Sequence, residues 1–193
     1  MAADLLTKVG YGQLELNQVA FRRDGRIEAQ CKLDGTDFAT KPAENGMLLA
    51  VNNATRTVKK AAQADIGVNP IGLHYSTEHM YDDRANALKD FALGKDSFLP
   101  RIGYLSVGDK FTTNLVAFDK DGTNGFANEA ALKTALAPAT LAATPVYGGI
   151  SNDQKGVITL SKEAADSGPV FRVLGLTTMP DGQAAVKLQV VRV

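Results

Sequence analysis

The sequence predicts an α+β fold that is mainly β, with short antiparallel strands in a sandwich or barrel-like sheet and two short helices. Three observations carry that expectation. Val170 to Leu176, Pro180-Asp181-Gly182 and the alternation of Ala184, Val186, Leu188 and Val190 read as a long hairpin closing the chain. Ile27, Ala29, Cys31 and Leu33 alternate with Arg26, Glu28, Gln30 and Lys32 after Asp24-Gly25, a strong hairpin signal. Elsewhere, short apolar runs are cut apart by glycine, proline and asparagine at intervals too close for long helices.

Taken in order, residues 1–12 read as an N-terminal arm or a first strand, and 13–193 as a single β-rich domain with a subdivision near 61–70. Val19 to Arg22 leads as a strand into the Asp24-Gly25 turn. Gly35 to Pro42 is a loop. Met47-Leu48-Leu49-Ala50-Val51 is apolar at every position, so it is buried on both sides or lies at a contact. Thr55 to Lys60 returns as a polar edge strand guarded by Lys59 and Lys60. Ile71, Leu73 and Tyr75 alternate again.

The first predicted helix runs from Asp82 to Leu93. Acidic residues suit its start, Gly94 suits its end, and Tyr81, Ala85, Leu88 and Ala92 share a stripe. Gly103 to Val107 and Lys110 to Phe118 form strands about Gly108-Asp109. A second helix covers Asn128 to Ala137 and stops at Pro138. Ala139 to Thr144 is a linker. Val146 to Ile150 and Val157 to Leu160 complete the strands before the closing hairpin.

Composition narrows the function. Twenty-one basic residues balance twenty-one acidic ones, so no long-range field favours nucleic acid or an anionic membrane. Cys31 is the one cysteine, which excludes an internal disulfide framework and paired-cysteine zinc sites; it reads as a small buried hydrophobe. No apolar run reaches the roughly 18 residues of a membrane helix, and Met1 to Gly10 lacks a secretory h-region. The expectation is a soluble protein made in a reducing cytoplasm.

Chemical motifs are sparse. His74 and His79 lie five apart, about 140° apart on a helix and on opposite faces of a strand, so neither geometry makes a zinc pair. One is expected half buried and the other exposed. Asp119 to Gly125 resembles a calcium loop, but Asn124 stands where glycine is required and Ala130 where a bidentate glutamate belongs; whether the loop takes calcium is left open. Ser76 lies near His79 without a nucleophile elbow, and no phosphate loop occurs. The expectation is a non-enzymatic protein with no cofactor.

Three stretches carry a resemblance to a known family. Pro42 to Val51 followed by Thr55-Arg56-Thr57-Val58 resembles a hairpin of the small auxiliary head proteins of tailed bacteriophages. Phe98 to Tyr104 through Gly108 to Asn114 is similar to a stretch of phage head-gene products, and Met179 to Gln183 fits the same pattern. The resemblance implies a capsid decoration or cement protein, bound to major capsid subunits on the virion surface. Such a protein assembles with itself or its neighbours in many copies, and needs no nucleic acid or membrane. The candidate contact residues are Leu5, Leu6, Val9, Tyr11 and Met47. Two alternatives are a tail-tube or head-completion subunit, and a metal-assisted hydrolase using His74, Glu78, His79 and Asp119.

Overall fold

The computed structural model describes residues 3–76, 88–95, 97, 100–120 and 123–193. Its frame is an eight-stranded sheet in the order Ala3–Leu5, Val116–Asp119, Ile158–Ser161, Tyr147–Ile150, Val170–Thr178, Ala184–Arg192, Lys110–Thr113 and Leu14–Gln18. Neighbours are antiparallel except Val116–Asp119 with Ile158–Ser161. A six-stranded sheet runs Ile27–Glu28, Ile102–Gly103, Ile71–His74, Leu48–Asn52, Thr57–Lys60 and Lys32–Leu33. Ala43–Glu44 pairs separately with Ala92–Leu93. The mainly β class is as the sequence predicts.

Connectivity forces the large sheet to curl. Lys110–Thr113 and Val116–Asp119 lie second from opposite edges, five interstrand steps apart, about 24 Å in a flat sheet. The Asn114-Leu115 link between them reaches about 11 Å when fully stretched. The sheet therefore bends back on itself like an open barrel, and its inner face becomes the main core. Phe111, Phe118, Phe171, Val173, Val186, Leu188 and Leu160 fill it, with Leu48, Ala50 and Leu73 from the smaller sheet. The Phe111 and Phe171 rings meet edge to face at 5.7 Å. Leu49 and Val51 point into a second core with Cys31, Leu33, Phe38, Leu115 and Ala117. That accounts for the unbroken apolar run at Met47 to Val51: it is buried on both sides.

Several local expectations change. Ala20–Asp24 is an α-helix, and Gly25 (φ +69°) is its left-handed C-cap, donating to the Phe21 carbonyl. A glycine that reverses a hairpin serves equally to end a helix, and Phe21 supplies the buried anchor. Ile27 to Leu33 is two short strands, not one. Pro138–Ala143, expected as a linker, is a helix with proline in its first turn, and it follows the helix Glu129–Ala135, capped by the Asn128 side chain. The helix expected over Asp82 to Leu93 falls largely outside the described residues; its described end is a 3-10 turn at Leu88–Asp90 and then the strand Ala92–Leu93. The stretch Lys110 to Phe118 is broken at Asn114-Leu115, where the sheet must close. Thr57–Lys60 is not an edge, because Lys32–Leu33 pairs alongside it in parallel. Lys59 bonds Asp65 at 2.8 Å, and Lys60 reaches the Asp37 carbonyl while lying over the Phe38 ring. Residues 61–70 join two strands of the same six-stranded sheet. Among the described residues no helix is long and apolar enough to cross a membrane.

The closing hairpin stands where the sequence puts it. Met179 and Gln183 are bonded across the Pro180-Asp181-Gly182 turn, and Leu188 sits opposite both Phe111 and Val173 with no exposed surface. Leu188→Ala should cost about 2–5 kcal/mol, read as a shifted midpoint in denaturant unfolding; an unchanged midpoint would contradict this placement.

Candidate functional site

The N-terminal segment is a bolted strand, not a free arm. Ala3–Leu5 pairs with Val116–Asp119, and the Leu6 N–H donates to the Val116 carbonyl. The Thr7 hydroxyl donates to Glu129 at 2.7 Å. The Val9 N–H donates to the Gln183 side chain. Lys8 meets the Glu44 carboxylate at 2.8 Å, both side chains nearly enclosed, and the same carboxylate accepts the Gly12 N–H at 2.7 Å. Gln13 then donates to Asn114 and Asp181.

This anchoring sorts the five candidate contact residues. Leu6 is 1% exposed and Met47 3%, so both are core side chains and leave the candidate surface. Leu5 at 38%, Val9 at 63% and Tyr11 at 37% remain open to solvent. A rigid backbone thus presents three apolar side chains with little left to order on contact.

Glu44 also ties this segment to a buried polar clip. His74, one of two histidines expected to be half buried or exposed, is fully enclosed at the end of Ile71–His74. Its Nδ1 lies 2.9 Å from the Glu44 carbonyl oxygen and its Nε2 2.9 Å from the Ser76 hydroxyl. A carbonyl can only accept, so Nδ1 carries the proton and Nε2 accepts from Ser76. The Ser76 oxygen in turn accepts the Arg101 N–H at 2.8 Å. A serine within reach of a histidine is the spacing of a nucleophile and its base. Here both are buried, and every polar atom is spent joining Glu44, His74 and Arg101. The clip is structural. The sequence pointed to His79 as Ser76's neighbour, whereas the chain just past the strand Ile71–His74 brings Ser76 back to His74; the two-residue spacing in extended chain was the available signal.

The remaining candidates do not converge. Glu78, His79 and Asp121 lie outside the described residues. His74 belongs to the smaller sheet and Asp119 to the larger, and Asp119 closes the strand that pairs with Ala3. A cleft of about 540 Å³ beside it is lined by Asp119, Asp153, Glu163 and Asp166. Among the described residues no three His, Cys, Asp or Glu side chains are placed to hold a metal ion. Burial pushes the Cys31 thiol up, with the Glu28 carboxylate adding to it, the condition of an inert thiol. No protein-family model matches this chain, and neither does any curated protein or solved structure.

The clip makes stability depend on pH. Burial lowers the His74 imidazole from 6.5 to about 4, against the opposing pull of the Glu44 carbonyl. Between those values the unfolded chain binds the extra proton and the folded chain does not. The contribution of neutral His74 is therefore complete above about pH 6.5 and is lost as pH falls toward 4, by about 3 kcal/mol in all. His74→Gln should be less stable at pH 7 and should show a flatter fall in melting temperature between pH 6.5 and 4.5. An identical fall in parent and variant would contradict the assignment.

Proposed function

We propose that this chain is a non-enzymatic virion structural protein that decorates a phage capsid by binding major capsid subunits. The reading rests on the three stretches that resemble auxiliary head proteins, and the observation that carries it to a surface is the exposure of Leu5, Val9 and Tyr11 on backbone that is hydrogen-bonded to the rest of the fold. Apolar area of this kind contributes about 25 cal/mol per Å² when a partner covers it. The described residues 3–12 are already bonded in place, so the roughly 1–2 kcal/mol per residue that a disordered arm would lose is not subtracted for them. Single contacts of this size are weak. On a shell with many equivalent sites they add through multivalency.

Anchoring alters the appropriate test. Removing Met1 to Lys8 would take Leu6 from the core and leave Glu44 without Lys8, so a weakened truncation would report folding as much as binding. Point changes on exposed positions separate the two. Val9→Asp combined with Tyr11→Asp should leave the melting temperature within a few degrees of the parent and reduce co-sedimentation with shells assembled from the same virus's major capsid protein. If the parent protein does not co-sediment with those shells, the decoration reading falls; if the double variant binds as tightly as the parent, this surface is not the anchor.

A further inference from the structure

A second cavity borders Asn45 and Tyr75, the chain neighbours of Glu44 and His74. Its volume is about 430 Å³, within the range of small-molecule sites, and its described lining is Leu14, Leu16, Arg22, Ile27, Asn45, Tyr75 and Arg101. Two cations face it, and no acidic residue does among the described residues. Neither guanidinium makes a hydrogen bond or ion pair among the described residues, although the chain as a whole carries as many acidic as basic residues.

Both arginines are held to Tyr75. Arg101 is fixed through its main chain, whose carbonyl accepts the Tyr75 N–H at 3.0 Å and whose N–H is clipped to Ser76. Arg22 sits on the helix Ala20–Asp24, and its neighbour Phe21 packs on the Tyr75 ring at 5.1 Å between centroids. Burial raises the Tyr75 phenol, while Arg101 and then Arg22 pull it back down, which places both charges within electrostatic reach of that hydroxyl. Asn45 adds a polar group at the buried end. It is 2% exposed, and its Oδ1 has no hydrogen-bond partner. Turning the amide over exchanges Oδ1 for Nδ2 and makes it a donor.

From this we infer that the cavity is an oxyanion site, taking a carboxylate or phosphate group between Arg22 and Arg101, with Tyr75 and Asn45 as neutral donors. Guanidinium groups bind such planar or tetrahedral oxyanions in pairs of charge-assisted bonds. Leu14, Leu16 and Ile27 supply apolar wall for the body of the ligand. The inference is independent of shell binding, since none of these residues belongs to the Leu5, Val9 and Tyr11 surface.

The test is calorimetric titration of the intact chain with sodium phosphate and with sodium butyrate, at constant ionic strength in chloride buffer. Saturable binding of at least one is expected. Tighter butyrate assigns a carboxylic acid with an apolar body, and tighter phosphate assigns a phosphate ester. Arg22→Gln and Arg101→Gln should each weaken that binding roughly tenfold without moving the melting temperature of the free protein, because both side chains are exposed. No saturation with either anion would overturn the inference, as would a double variant that binds as tightly as the parent.

Discussion

The architecture depends on one short link. Asn114 and Leu115 must carry the chain between strands that a flat sheet would hold more than twice as far apart, so the sheet has to curl before the main core can exist. The residues around the link are built for close approach. A side chain at Gly46 (φ +91°) would put its Cβ 2.5 Å from the Thr113 hydroxyl, and one at Gly12 would meet the Asn45 carbonyl at 2.4 Å. Space freed by those glycines is taken by hydrogen bonds. Thr113 donates to the Gln13 carbonyl and accepts the Leu115 N–H, and Asn114 accepts the Gln13 N–H. Where the ladder is interrupted, side chains satisfy backbone groups that no strand can reach.

From that seam outward, Glu44 distributes the constraint. Its carboxylate holds Lys8 and the Gly12 N–H, and its carbonyl holds His74, which holds Ser76 and through it Arg101. Three separate parts of the chain, Lys8 to Gly12, His74 to Ser76 and Arg101, are thereby fixed to one residue at the closure point. Burying such a network costs desolvation unless every member is paired, and His74 meets that condition by staying neutral. The cost of the arrangement falls on acid conditions, where the imidazole must take a proton that the clip has no place for.

How much of this was legible depended on whether the signal was local. The closing hairpin, the buried Cys31 and the doubly buried Met47 to Val51 follow from alternation or its absence, and all three stand. Asp24-Gly25 misled because a positive-φ glycine marks a reversal without saying whether a strand or a helix precedes it. Pro138 misled in the same way, since proline ends one helix and opens the next. The contact candidates Leu6 and Met47 were drawn from hydrophobicity, which cannot tell a side chain that faces a partner from one that faces the core. Sheet order is fixed by pairings between residues far apart in sequence, so neither the curl nor the meeting of Glu44 with Lys8 and His74 leaves a periodic trace. The Arg22, Tyr75 and Arg101 cavity leaves no periodic trace for the same reason: its members come from three stretches far apart in sequence.

The same closure governs what the outer surface can do. Leu5, Val9 and Tyr11 lie on a segment whose backbone N–H groups are bonded at Leu6, Thr7, Val9, Tyr11 and Gly12, so their spacing is set by the fold and not by a partner. Under the proposed decoration role, such a preset surface would recognise a partner only where the partner already matches it, and affinity per copy would be limited to the area those three side chains cover. A disordered arm trades in the opposite direction, covering more area while losing ordering entropy with each residue. An arm suits one tight attachment, and a fixed shallow row suits repeated weak ones on a lattice that keeps its spacing. The sequence left that choice open between arm and first strand, and the seam at Asn114-Leu115, by requiring residues 3–13 to pack across the curled sheet, makes it.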